Sequence, residues 1–257
     1  MNILLTNDDG IYAPGLAALE AELSSLGEVR IIAPKTEQSG VGHAITFLTP
    51  LVAEEVFQGE HRRGWAVEGS PADCVKLGIS QLFGGRPDLV VSGVNGGLNA
   101  GINVLYSGTV AAAIEGAFFD IYSVAVSLEY DEHADYAAAA KIAVPIIRQL
   151  WERREETDTK LFNLNIPQAA LGQESPELRI VPMGLERWGE GFERRQDPRG
   201  RPYYWATNDP PPKMTEKETD LSALRRGCVT LTPLSYDMTR YNELDKMKAW
   251  GLGKSDA

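Results

Sequence analysis

Two adjacent carboxylates, Asp8 and Asp9, follow the first apolar run of the chain, Asn2 to Thr6. Paired acids beside an amide, Asn7, suit a hard divalent cation with oxygen ligands. They repel a bare phosphate, and the glycine pattern G-x-G-x-x-G of a dinucleotide loop is missing there. Asp8-Asp9-Gly10 reads equally well as a turn and helix-cap sequence. A second loop carries Ser39-Gly40-Val41-Gly42-His43, whose hydroxyl can ligate a metal or contact a phosphate. His43 reads as a general acid, a phosphate contact or a plain loop histidine, and is assigned no role.

The third loop is the most informative. Ser92 to Gly101 packs four glycines and two asparagines into ten residues. Glycine admits positive φ, and successive amides form an anion nest. Tyr106-Ser107-Gly108-Thr109 then opens an alanine-rich helix, whose first amides and hydroxyls can receive an oxyanion. Asp8 and Asp9 would hold a cation, and Asn95, Ser107, Gly108 and Thr109 would hold a phosphate. That combination suits metal-assisted phosphate hydrolysis, in which the ion polarises a phosphoryl oxygen and acidifies water. Asp8 or Asp9 would accept the proton, and the amides and hydroxyls would stabilise the transferring group.

These loops need a scaffold that brings them together. The order strand 2–6, helix 14–26, strand 29–33 predicts a right-handed parallel crossover. Short strands are expected at 44–47, 51–57 and 65–67, and a helix over 71–83 with Ser70 as its N-cap. A buried strand over 88–92 precedes the glycine loop, and a helix over 107–119 follows it. Strand 123–128, helix 134–151 and strand 161–166 complete an α/β, Rossmann-like three-layer domain over residues 1–167. In open parallel sheets ligands bind beyond the carboxyl ends of the strands, where all three loops lie.

Residues 168–257 are expected to form an extended C-terminal arm of β-hairpin and helix. In that reading 179–183 pairs with 203–206, Asn208 to Pro212 is a rigid connector, and a helix 220–226, a strand 228–234 and a helix 241–250 follow. Trp188, Tyr203, Tyr204, Trp205 and Trp250 lie where there is little local core, which points to a partner subunit.

Composition narrows the classes further. The 257 residues include 25 Lys+Arg and 36 Asp+Glu, a formal charge of −11 that disfavours a long nucleic acid as partner. Hydrophobic residues at 43% exclude a disordered chain. Cys74 and Cys228 read as buried, reduced thiols rather than a disulfide framework or zinc site. No basic leader or long apolar run stands at the start, so a cytoplasmic protein without a membrane span is expected.

Several blocks in order carry a resemblance. They are Asn2 to Gly10, Pro34 to Thr46, Gly69 to Val75, Ser92 to Gly101, Tyr106 to Gly116 and Asn163 to Pro167. On these the chain resembles the SurE (survival protein E) family of metal-dependent nucleotidases, with Ser70 where that family usually has Thr. The resemblance implies one divalent metal ion per subunit, Mg²⁺, Mn²⁺ or similar, on Asp8, Asp9, Ser39 and Asn95. It implies hydrolysis of nucleoside 5′- and 3′-monophosphates, with short polyphosphate as a further substrate. It also implies a homodimer or homotetramer in which C-terminal arms exchange.

Competing readings fit less well. A phosphoacceptor module needs a further Asp where the 88–92 strand ends in Ser92-Gly93. An Asp-nucleophile phosphatase needs Asp-x-Asp rather than Asp8-Asp9. A non-catalytic, metal-dependent nucleotide sensor or assembly protein remains the alternative, separated from an enzyme by phosphate release.

Overall fold

The fold is that of a computed structural model, which describes residues 1–186, 191–207 and 217–250. Strand β1 (Asn2–Thr6) leads through helix α1 (Pro14–Leu23) to β2 (Glu28–Pro34). Pro14 supplies the preset φ of a helix start. The helix stops three residues short of the expected Leu26. Ser24 and Ser25 turn their hydroxyls back onto the carbonyls of Ala21 and Glu22, competing with the helix for acceptors.

β3 (Ala53–Gln58) and β4 (His61–Val67) form an antiparallel edge. The expected strand at 44–47 is absent: that stretch is irregular and fastened by side chains instead. Asp73 accepts from the Thr46 amide at 3.0 Å and its hydroxyl at 2.7 Å, and Ser70 donates to the Ala44 carbonyl at 2.6 Å. Ser70 caps α2 (Pro71–Leu77) in a reciprocal box with Asp73. The helix then continues as a π-helical turn, Gly78–Leu82.

β5 (Leu89–Gly96), α3 (Gly108–Phe118), β6 (Tyr122–Leu128), α4 (Tyr136–Glu152) and β7 (Leu161–Ile166) follow. α4 runs through Pro145. β8 (Leu178–Ile180), α5 (Asp220–Arg225) and β11 (Val229–Pro233) flank a separate hairpin of β9 (Phe192–Gln196) and β10 (Pro202–Ala206). α6 (Tyr241–Ala249) is the last described helix.

The main sheet has the order β3-β4-β2-β1-β5-β6-β7-β11-β8. The run from β4 to β7 is parallel throughout. Alternate residues serve opposite faces. Ile3, Leu5, Leu89 and Val91 join the core shared with α1 and α4, whereas Leu4, Val90 and Ile32 join that shared with α2 and α3. Helices on both faces of a largely parallel sheet make the three-layer α/β architecture expected of the sequence.

β2 and β5 lie on either side of β1, so the chain reverses direction across the sheet at the β1/β5 boundary. Such a switch point opens a crevice at the carboxyl ends of the strands. β5 bulges there, with its register to β6 shifting between Ser92 and Asn95. Gly93 has φ 139°, and a Cβ on it would stand 2.2 Å from the Val126 carbonyl oxygen, so only glycine fits. The Gly93–Val94 peptide bond is cis.

Beyond residue 167 the arrangement differs from the expected hairpin. Residues 178–180 enter the main sheet beside β11, parallel to it, and 202–206 pair with 192–196. Thus β8, β11 and α5 build onto the sheet, while β9 and β10 are exposed at every residue and α6 buries none. Trp188 and the 208–212 connector lie outside the described residues. Cys74 and Cys228 are free and buried. Among the described residues no helix is long and apolar enough to cross a membrane.

Candidate active site

The three loops converge at the β1/β5 crevice. The Gln38 amide donates to the Asp8 carbonyl at 2.8 Å, joining the first loop to the second. The Gly42 amide donates to the Tyr106 carbonyl at 3.0 Å, joining the second to the segment that opens α3. The Gly96 amide favours the charged form of Asp9, which brings the first loop beside the third.

Asp8 is 5% exposed, and its Oδ1 accepts the Thr109 hydroxyl at 2.6 Å. The Thr109 amide also favours the charged form of this carboxylate. Gly108 allows the close approach: a Cβ there would stand 3.0 Å from Asp8 Cβ and 3.1 Å from its Oδ2. The acid pair therefore abuts the N-terminus of α3. Thr109, expected to meet phosphate with its hydroxyl, is fully buried and commits that hydroxyl to Asp8. Ser107 caps α3, accepting from the Val110 amide at 3.1 Å, which leaves its own O–H proton to donate. The Gly108 amide belongs to the first turn, where amides have no partner inside the helix.

The acids are electrostatically strained. Burial raises the Asp8 carboxyl above the usual range, although the Thr109 hydroxyl opposes this. Burial, the neighbouring Asp8 charge and then Glu37 push Asp9 from 3.8 up to about 6. Among the described residues no Lys, Arg or His forms an ion pair with either acid. Buried carboxylates without a cation are the arrangement that a positive ion relieves. Asn7, by contrast, spends its amide on its own turn, exchanging hydrogen bonds with Gly10.

Comparison with known proteins decides the family. Residues 3–190 match the family described as Survival protein SurE. The chain belongs to the SurE family. A protein of Rhodopirellula baltica named 5′-nucleotidase SurE is 58% identical over 98% of this chain and 99% of its own length. One of Syntrophus aciditrophicus with the same name is 46% identical over 97% and 93%. The crystal structure of SurE protein from Aquifex aeolicus superposes with a TM-score of 0.84 at 36% identity, covering 98% of this chain and all of that one.

The donor set of this SurE chain fits a hard divalent ion. Ser39 donates its proton to Glu37 at 2.6 Å, leaving oxygen lone pairs for a cation. Asn95 turns its Nδ2 onto the Gly97 carbonyl at 2.6 Å, which leaves its Oδ1 lone pairs for a cation. With two carboxylates, a hydroxyl and an amide, the set is all oxygen. No cluster of three or more His, Cys, Asp or Glu suited to a metal occurs among the described residues, so any such ion depends on the neutral donors as well.

Glu37 was not singled out by sequence. Its proximity to the acids depends on the Gln38–Asp8 tie, which no local pattern reveals. A separate cavity of about 320 Å³, bounded by Arg86, Asp120, Tyr122, Trp151 and Lys160, lies at the amino ends of β5 to β7. It is at the opposite end of the strands from the acids, and its Arg86 and Lys160 both pair with Asp120.

Proposed function

We propose that this chain is a divalent-metal-dependent phosphomonoesterase that hydrolyses nucleoside 5′-monophosphates to nucleoside and phosphate. Family membership and the nucleotidase names of its relatives support the class of reaction. The observation that carries the chemistry is the 2.6 Å bond from Thr109 to Asp8. It holds a carboxylate of the acid pair against the helix terminus that would receive the phosphate.

Asp8, Asp9, Ser39 and Asn95 would hold Mg²⁺, Mn²⁺ or a similar ion. When bound, the ion supplies Lewis-acid polarisation of the phosphoryl group and of water. Ser107 donates its hydroxyl, and Gly108 its amide, to phosphoryl oxygens, stabilising charge that grows in transfer. Thr109 orients Asp8 from behind. Asp9 accepts the proton of the attacking water.

We extend the proposal to nucleoside 3′-monophosphates and short polyphosphate, which carry the same terminal phosphoryl group. Assembly into dimers or tetramers belongs to the same reading. Its support is the exposed aromatic set Tyr203, Tyr204, Trp205, Tyr241 and Trp250 on the hairpin and terminal helix. The acidic balance of the chain favours small phosphoesters over long nucleic acid.

The test is phosphate release from a panel of nucleoside 5′- and 3′-monophosphates with Mn²⁺ or Mg²⁺, before and after chelation. Release that chelation abolishes is expected. Nucleotide binding without release would favour the sensor reading.

A further inference from the structure

Glu115 is a buried carboxylate that the chemistry above leaves unused. It lies on α3, six residues beyond Thr109, and is 2% exposed. Such a group is tolerated only when paired. Its Oε2 stands 2.9 Å from His43 Nε2, and its Oε1 3.4 Å from Lys76 Nζ on α2. The lysine is half exposed, so the nearer and better shielded partner is His43.

The His43 ring is held twice. Besides Glu115 it stacks on Phe118, with centroids 5.3 Å apart and planes at 19°. Glu115 and Phe118 are three residues apart on α3, hence on one face, and that face grips the ring from two sides.

His43 ends the short span that carries Ser39. At one end the Gln38 amide is fixed to the Asp8 carbonyl. At the other, Gly42 is fixed to Tyr106 and His43 to α3. Gly40, between them, has φ 71° and open space where a Cβ would point, and Gly42 at the far end has φ 56°. A glycine-rich span of this kind has little rigidity of its own. The place of the Ser39 backbone is therefore set by the two ends of the span, and its hydroxyl is turned by the bond to Glu37.

We propose that His43 is a positioning residue for Ser39. Clamped by Glu115 and Phe118, it fixes the far end of the span and holds the Ser39 hydroxyl beside Asp8 and Asp9. The proposal rests on the metal role given to Ser39 above. It also gives the buried Glu115 a purpose, as the anchor on the rigid helix that carries the phosphate site.

Mn²⁺ binding to the chelator-stripped full chain, measured by titration calorimetry, tests this without turnover. His43→Phe keeps the ring contact and removes the bond to Glu115. His43→Gln restores a donor at nearly the same reach. His43→Phe is expected to weaken Mn²⁺ binding about tenfold and His43→Gln to recover most of it. In a Ser39→Ala background, His43→Phe is expected to cost nothing further, because the group it positions is gone. Additive losses in the double variant would overturn the proposal, as would tight binding by His43→Phe. Should His43→Phe fail to fold, Glu115→Gln enters the same cycle, with the same non-additivity expected. A wild type that binds no Mn²⁺ overturns the metal reading and this proposal with it. Binding indifferent to Ser39→Ala overturns this proposal alone and leaves the acid pair as the metal site.

Discussion

Thr109 donates its hydroxyl to Asp8 across 2.6 Å, although 101 residues separate them in the chain. One comes from the loop after β1 and the other from the first turn of α3. The contact joins the part of the site suited to a cation with the part suited to an anion. Its consequence is that neither can shift without the other.

Thr109→Val keeps the buried volume and deletes that bond. One oxygen of Asp8 then loses its donor in a site largely closed to water. Mn²⁺ affinity and kcat/KM are each expected to fall about 10- to 100-fold. Thr109→Ser, which keeps the hydroxyl, is expected to stay within a few-fold of the parent. Calorimetry and steady-state kinetics on the two variants check this.

Ser107→Ala removes a donor to the phosphate but no ligand of the cation. A drop in kcat of about 100-fold is expected, with Mn²⁺ affinity nearly unchanged. The lost cap also costs α3 about 1 kcal/mol, visible in denaturant melts. A large loss of metal binding would contradict the role given to Ser107.

Asp9→Asn separates activity from stability. Phosphate release is expected to fall at least about 1000-fold, since both a ligand and the proton acceptor are lost. Metal-free stability should move the other way. Asp9 has its folded-state pKa raised from 3.8 to about 6, so the fold binds its proton more tightly than the unfolded chain does. That contribution is full below the unfolded value and disappears as pH rises through about 6. In chelator at pH 7.5 the variant is therefore expected to be more stable than the parent, by about 1–2 kcal/mol once solvent screening is allowed for. The gap should close by pH 4, and added Mn²⁺ should reverse it by stabilising only the parent.

The same raised carboxyls make metal uptake compete with protons. Mn²⁺ affinity is expected to decline as pH falls through about 6, with protons released on binding above what buffer alone explains. Calorimetry in two buffers of different ionisation enthalpy counts them.

Much of the scaffold is legible in the sequence because short-range physics sets it. Pro14 and Ser70 mark helix starts, and continuous apolar runs such as Leu89 to Val91 mark strands covered on both faces. The convergence of the three loops also follows, since parallel strands place their carboxyl ends together. What sequence hides depends on long-range partners. Residues 179–183 and 203–206 have similar strand character, and only the vacant position beside β11 decides that 178–180 joins the main sheet. Residues 44–47 look like a strand but are tied down by Ser70 and Asp73, some 26 residues on. Thr109 reads as a phosphate contact because helix-opening hydroxyls commonly are, yet its burial against Asp8 appears only in three dimensions.

Manganese scatters anomalously, and a crystal soaked in Mn²⁺ with a nucleoside 5′-monophosphate locates the ion without inference. The expected result is one strong peak within coordination distance of Asp8 and Asp9, with a phosphate oxygen between that peak and the Ser107–Gly108 turn. An empty crevice under saturating manganese, or a peak held by other residues, would contradict the assignment of this site.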